Sequence, residues 1–136
     1  MNKILTIFII FLFFSCREGK KTYTSINGFK SQKTTEVTFE KESFTFKPIN
    51  KGDTAQHVYK FKNTGKNDLL ITSIDVSCGC LIPDYPKRPV KSNMQDSIII
   101  KYSSKTKVGR QLGRLIFHMN TKPKEEHELI LEGVVK

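Results

Sequence analysis

Apolar and polar side chains alternate along most of the chain beyond residue 36. The apolar positions that share a parity are Val37 and Phe39, Phe44 and Phe46, Tyr59 and Phe61, Ile74 and Val76, Ile98 to Tyr102, Leu115 to Met119, and Leu129 with Leu131. A period of two is typical of strands that bury one face, and no segment carries the i, i+3, i+4 stripe of an amphipathic helix. Turn residues separate these runs at positions 50–53 and 63–68. The pattern therefore predicts an all-β fold, an antiparallel β-sandwich of about seven strands.

Three prolines interrupt the alternation after the fourth run. Pro83, Pro86 and Pro89 lie within residues 81–93, and proline cannot donate a hydrogen bond within a sheet. We expect a loop or a bent edge segment here, with Asn93 supplying a left-handed turn residue.

The first fifteen residues form an apolar leader. Lys3 provides a positive charge, and residues 4–14 are apolar apart from Thr6. The run is shorter than the roughly 20 apolar residues that span a bilayer, so we interpret it as an export signal. Ser15 is a small residue before the expected cut, and residues 13–16 read FFSC, which resembles a loose lipobox. We therefore predict a lipoprotein signal peptide at 1–15 and a lipid-modified Cys16, with the protein in the cell envelope.

Residues 16–36 are mostly polar, with Tyr23, Ile26 and Phe29 as their sizeable apolar side chains. Such a stretch buries too little surface to offset the entropy of ordering it. We predict that residues 16–36 are a flexible tether and that residues 37–136 form the folded domain.

The net charge of +10 is compatible with nucleic acid, an anionic membrane or an acidic polymer as partner. An exported protein does not meet nucleic acid, so we expect none. The sequence contains no nucleophile elbow, zinc-protease motif or phosphate loop, so we expect no enzymatic activity. His118 and His127 are predicted to be surface or strand-end residues.

Several short motifs follow one another at defined spacings. Residues 46–53 read FKPINKGD, 57–65 read HVYKFKNTG, 70–72 read LIT and 77–80 read SCGC; Gly109, Asn120 and Gly133 follow. This series resembles the bacterial domain-of-unknown-function 1573 family over about residues 44–135. The resemblance implies an immunoglobulin-like fold, similar to domains of ciliary and centrosomal proteins. It also implies an exported protein or lipoprotein, notably of Bacteroidota.

Cys78 and Cys80 are the clearest candidates for chemistry. Residues i and i+2 of an extended strand project to the same face, so the two thiols are expected to point together. In the first interpretation they form a disulfide. Its Cα atoms would lie near the upper end of the usual range of about 4.4–6.8 Å, and such a strained bridge would be suited to redox exchange. Alternatively they bind a soft metal such as Cu(I), with His57 as a third ligand. In the third interpretation they are small buried thiols. No resident cofactor is predicted.

The loop with Tyr85, Lys87 and Arg88 is basic and carries one aromatic side chain. These three residues are the candidate partner-binding residues, suited to an acidic polymer or an envelope protein. The sequence thus predicts a lipid-anchored binding or scaffolding module. The alternative is a copper-binding or thiol-redox protein that uses Cys78 and Cys80.

Overall fold

Strands and turns make up the part of the chain that the structure, a computed structural model, describes: residues 33–136 and the backbone of Lys21–Thr24. The strands are β1 Lys21–Thr24, β2 Val37–Phe39, β3 Ser43–Thr45, β4 Thr54–Asn63, β5 Ile71–Val76, β6 Leu81–Asp84, β7 Gln95–Ser103, β8 Gly109–Met119 and β9 Glu126–Val135. Within these residues no helix has the length and apolarity that crossing a membrane requires.

The strands form two sheets. One has five strands in the order β1-β5-β8-β9-β3, and the other has four in the order β2-β4-β7-β6. All pairs are antiparallel except β3 with β9. The predicted all-β sandwich is confirmed, with nine strands in the described residues where about seven were expected. The additional strands are β1 and β6, and both lie at sheet edges, where the proline of β6 is tolerated.

The core lies between the two sheets and contains the predicted inward positions. Tyr59, Phe61, Ile98, Ile100, Leu115, Phe117, Leu129 and Leu131 are all buried. Because neighbouring side chains of a strand face opposite ways, the intervening positions are half-buried or exposed. Sequence parity alone therefore assigned the core face of each long strand.

Two turn residues adopt the left-handed backbone conformation that their identity favours. Gly52 has φ 98° and Asn93 has φ 63°, which confirms the expectation for Asn93.

Two stretches of the predicted tether 16–36 are ordered. β1 pairs with β5, and Thr35 is buried and donates its backbone N–H to the Asn120 carbonyl over 2.9 Å. The tether prediction is wrong for these two stretches because backbone hydrogen bonds, which polarity does not reveal, hold them to the domain. The leader 1–15 and Cys16 lie outside the described residues.

Candidate functional site

The two cysteines lie in a turn that carries the chain from one sheet to the other. β5 ends at Val76, residues 77–80 turn, and β6 begins at Leu81. The turn is held at both ends, since Ser77 donates its N–H to the Arg114 carbonyl over 3.0 Å and Ser103 donates to the Cys80 carbonyl over 2.9 Å. The predicted extended strand through Cys80 is wrong, because β5 and β6 belong to different sheets and the chain must bend between them.

Cys78 and Cys80 are joined as a disulfide, with Cα atoms 5.2 Å apart. This distance lies in the middle of the usual range, not at its upper end, because the residues lie in a turn. Both side chains are half-buried against the core. In this state the sulfur atoms offer no thiolate to a metal, and thiol–disulfide exchange is the chemistry open to them.

The structure places His57 away from this turn. Its ring stacks on Phe44, with centroids 3.7 Å apart and planes 6° from parallel, and meets the edge of Tyr59 at 4.6 Å. Burial, together with the charge of Lys41, lowers the pKa of His57, so its neutral form is favoured in this aromatic contact. Within residues 33–136 no three His, Cys, Asp or Glu side chains are grouped to hold a metal. The predicted site of Cys78, Cys80 and His57 is therefore wrong, because the β4–β7 register places His57 opposite Ile100 while Cys80 bonds to Ser103.

The aromatic residue of the proline-rich loop belongs to the core. Tyr85 is 5% exposed and meets the Phe117 ring edge-on, with centroids 6.3 Å apart. The Lys87 ammonium lies over the Tyr85 ring, 2.8 Å from its centroid. Tyr85 is therefore mostly buried, because the loop folds back over the sandwich, and its role in partner binding stays a prediction. Lys87 and Arg88 remain exposed.

An open groove of about 510 Å³ lies beside this loop. Its lining residues are Asp84, Tyr85, Pro86, Lys87 and Arg88 from the end of β6 and the loop, and Asp96, Ser97 and Ile99 from β7. Asp84 and Asp96 balance Lys87 and Arg88, so the groove is not a uniformly basic surface. It fits a partner of mixed charge better than an acidic polymer.

Comparison with known proteins identifies the family. The profile of the family described as "Protein of unknown function (DUF1573)" matches residues 37–135. The chain belongs to the DUF1573 family. No curated protein matches it.

Solved structures share the fold of this DUF1573 domain at low sequence identity. A protein of unknown function from Porphyromonas gingivalis W83 is similar with a TM-score of 0.68 and 10% identity, covering 79% of this chain and 50% of that chain. The ASH / PapD-like domain 7 of human CEP192 has a TM-score of 0.59 and 14% identity, covering 76% and 87%. The Vibrio cholerae VesB protease has a TM-score of 0.59 and 8% identity, but this chain spans only 31% of its length. These likenesses confirm the immunoglobulin-like, PapD-like fold.

Several residues of the family motifs hold the DUF1573 fold together. Asn63, the last residue of β4, is 0% exposed. Its side-chain amide forms hydrogen bonds with Thr35, which precedes β2, and with three residues that follow β4. Asn120 accepts a hydrogen bond from the Leu70 N–H over 2.7 Å. Gly133 leaves space for the Phe46 ring. The polar composition of a turn does not distinguish a buried asparagine from a solvent-exposed one, so the sequence did not predict these buried contacts.

His127 is buried, and its Nε2 lies 2.8 Å from the Thr121 hydroxyl. Burial and the nearby charge of Lys124 lower its pKa. His127 is the second residue of β9, as a strand-end residue is, but it is not at the surface, because β9 turns this side chain inward. His118 is half-buried, as a strand-end residue can be, and contacts Asp75 over 2.9 Å.

Proposed function

We propose that this DUF1573 protein is a lipid-anchored binding or scaffolding module of the cell envelope. The observation that carries the anchor is Cys16, which directly follows Ser15 at the end of the apolar leader. The immunoglobulin-like, PapD-like fold, with an exposed edge strand, supports a binding role over an enzymatic one.

The groove beside the proline-rich loop is the surface we assign to the partner. It borders β6, an edge strand with the exposed side chain of Ile82. An edge strand presents backbone groups and alternate side chains to an extended segment of another protein. The balanced charges of the groove favour an envelope protein as partner.

The disulfide supports a second candidate function, thiol–disulfide exchange. An incoming thiolate would attack one sulfur, form a mixed disulfide and release the other sulfur as a thiolate. A reduced pair would offer two thiolates to Cu(I), without His57.

Cys16→Ala is expected to move the protein from the membrane fraction to the soluble fraction or to leave it as an unprocessed precursor. The lipid is attached to this side chain, and a single leader is too short to hold the protein by spanning the bilayer. Fractionation and labelling with radioactive palmitate would measure both effects. A variant that is still processed, labelled and membrane-bound would contradict the anchor.

A photo-crosslinking residue in place of Arg88 is expected to capture an envelope protein of one defined mass. The same residue in place of Glu40 is a matched control, because Glu40 is also exposed but follows β2, at the opposite edge of the sheet. Repeating the capture with Cys78→Ser and Cys80→Ser separates the two functions. A binding module keeps the crosslink, whereas a thiol-exchange protein loses it. Equal capture from positions 88 and 40 would refute the groove as the partner site.

A further inference from the structure

One end of the sandwich collects basic residues that are far apart in the sequence. Four segments form this end, residues 49–54, 77–81, 103–112 and 132–136, and we call it the basic end. Backbone hydrogen bonds join them, from Ser104 to the Asp53 carbonyl at 3.0 Å, from Lys51 to the Lys136 carbonyl at 3.1 Å, and from Ser103 to the Cys80 carbonyl at 2.9 Å. The basic residues that these segments bring together are Lys51, Lys105, Lys107, Arg110 and Lys136, all exposed.

The positive charge of the basic end is largely uncompensated. Its four segments contain two acidic residues, Asp53 and Glu132. The Asp53 carboxylate accepts the Asn50 N–H over 3.0 Å, and the Glu132 carboxylate accepts the Thr45 hydroxyl over 3.0 Å. None of the ion pairs within residues 33–136 includes a cation of this end.

Exposed aliphatic side chains lie among these cations. Val108 is 62% exposed and Leu112 is 53% exposed. Val134 is also exposed, and it pairs with Arg110 across β8 and β9. Cations interspersed with aliphatic side chains match the headgroup layer of an anionic membrane, where the charges meet phosphates and the aliphatic groups reach the acyl boundary.

The first strand begins beside one segment of this same end. β1 is antiparallel to β5, with Lys21 opposite Val76, the last residue before the cysteine turn. Lys21, the first residue of β1, therefore lies at the end of β5 that leads into residues 77–81 of the basic end. Cys16 stands five residues before Lys21 and can reach at most about 18 Å from it.

We propose that the basic end rests on the anionic headgroup layer of the membrane that holds Cys16. This inference rests on the proposed lipid anchor and adds an orientation to it. The opposite end of the sandwich and the groove beside Arg88 then do not face the membrane, so a partner can reach them.

A single tryptophan at each end tests the orientation, because the chain has no tryptophan of its own. Val108→Trp is at the basic end, and Met94→Trp is a matched control, since Met94 is 57% exposed and precedes β7 at the other end. The full lipidated protein is placed in vesicles of phosphatidylcholine and phosphatidylglycerol that carry a doxyl-labelled lipid. We expect quenching at position 108 to be at least about twofold stronger than at position 94. Equal quenching, or stronger quenching at position 94, would overturn the proposal.

A second measurement is independent of the lipid. A chain that begins at Arg17 keeps every described strand, and we expect it to co-sediment with phosphatidylglycerol vesicles but not with pure phosphatidylcholine vesicles. Replacing Lys105 and Lys107 by Gln should weaken this binding about 25-fold, since each cation near an anionic surface contributes about fivefold. Lys66→Gln with Lys91→Gln, a pair of exposed lysines at the other end, should change it little.

The two proposals fail separately. A Cys16 that is not lipidated, with vesicle binding still dependent on Lys105 and Lys107, would refute the anchor and leave the membrane-facing surface standing. A lipidated Cys16 with equal quenching at both tryptophans would refute the surface and leave the anchor standing. Vesicle binding that does not depend on lipid charge would also refute the membrane-facing surface.

Discussion

Asn63→Ala is expected to lower the free energy of unfolding by about 3–4 kcal/mol. The side-chain oxygen Oδ1 of Asn63 accepts the Thr35 hydroxyl over 2.8 Å and the Gly65 N–H over 3.2 Å. Its amide group donates to the Asn67 and Val90 carbonyls, each over 2.8 Å. Alanine removes all four hydrogen bonds at a fully buried position, so several of these groups would lose their partner away from water.

Urea unfolding of the two proteins measures this loss. Asn50→Ala is a matched control, because Asn50 is also a turn asparagine but its side chain is exposed, and we expect it to change stability by less than about 0.5 kcal/mol. Asn63→Asp should also destabilise the fold, because it keeps the acceptor oxygen, loses both donated bonds and buries a charge. The assignment is wrong if Asn63→Ala costs no more than Asn50→Ala.

Gly133→Ala is expected to destabilise the domain by about 2–3 kcal/mol, through overpacking. A methyl group at this position would overlap the Phe46 ring. That ring is buried and stacked on Tyr102 with centroids 5.5 Å apart, so it has little room to move. The strand must therefore shift or the ring must leave its rotamer.

Gly113→Ala on the neighbouring strand provides the comparison. Its added methyl would lie 2.9 Å from a methyl of Leu81, the flexible end of a side chain, and we expect a loss of about 1 kcal/mol or less. Adding Phe46→Leu to Gly133→Ala should recover part of the lost stability, because a smaller side chain removes the overlap. Urea midpoints of the four proteins test this account, and a Gly133→Ala variant as stable as wild type would disprove it.

The alternation of apolar and polar residues predicted the architecture well, because successive side chains of a strand point to opposite faces and only one face is buried. Each strand shows one face to the core, so the parity of Tyr59 and Phe61, or of Leu115 and Phe117, identified the buried face without knowledge of the partners. Left-handed Asn93 follows from residue identity in the same way. The motif series identified the family for the same reason, since turns and strand ends recur at set spacings.

The candidate site was predicted less well. The contacts of Cys78, His57 and Tyr85 depend on where the chain crosses from one sheet to the other. The cysteine pair was expected at a strand end and lies in a turn, because β5 and β6 belong to different sheets. Tyr85 looked like a loop aromatic and is buried, because the loop folds over Phe117.

The sequence by itself determined the all-β class, the core face of the four long strands β4, β7, β8 and β9, the main turns and the family, because each of these depends on neighbouring residues. Only the tertiary structure decided the disulfide turn, the buried hydrogen bonds of Asn63 and the basic end. Lys51, Lys107 and Lys136 are far apart along the chain and lie at one end of the sandwich because backbone hydrogen bonds join the segments that carry them. Such long-range contacts follow from sheet order and register, which one-dimensional periodicity does not contain.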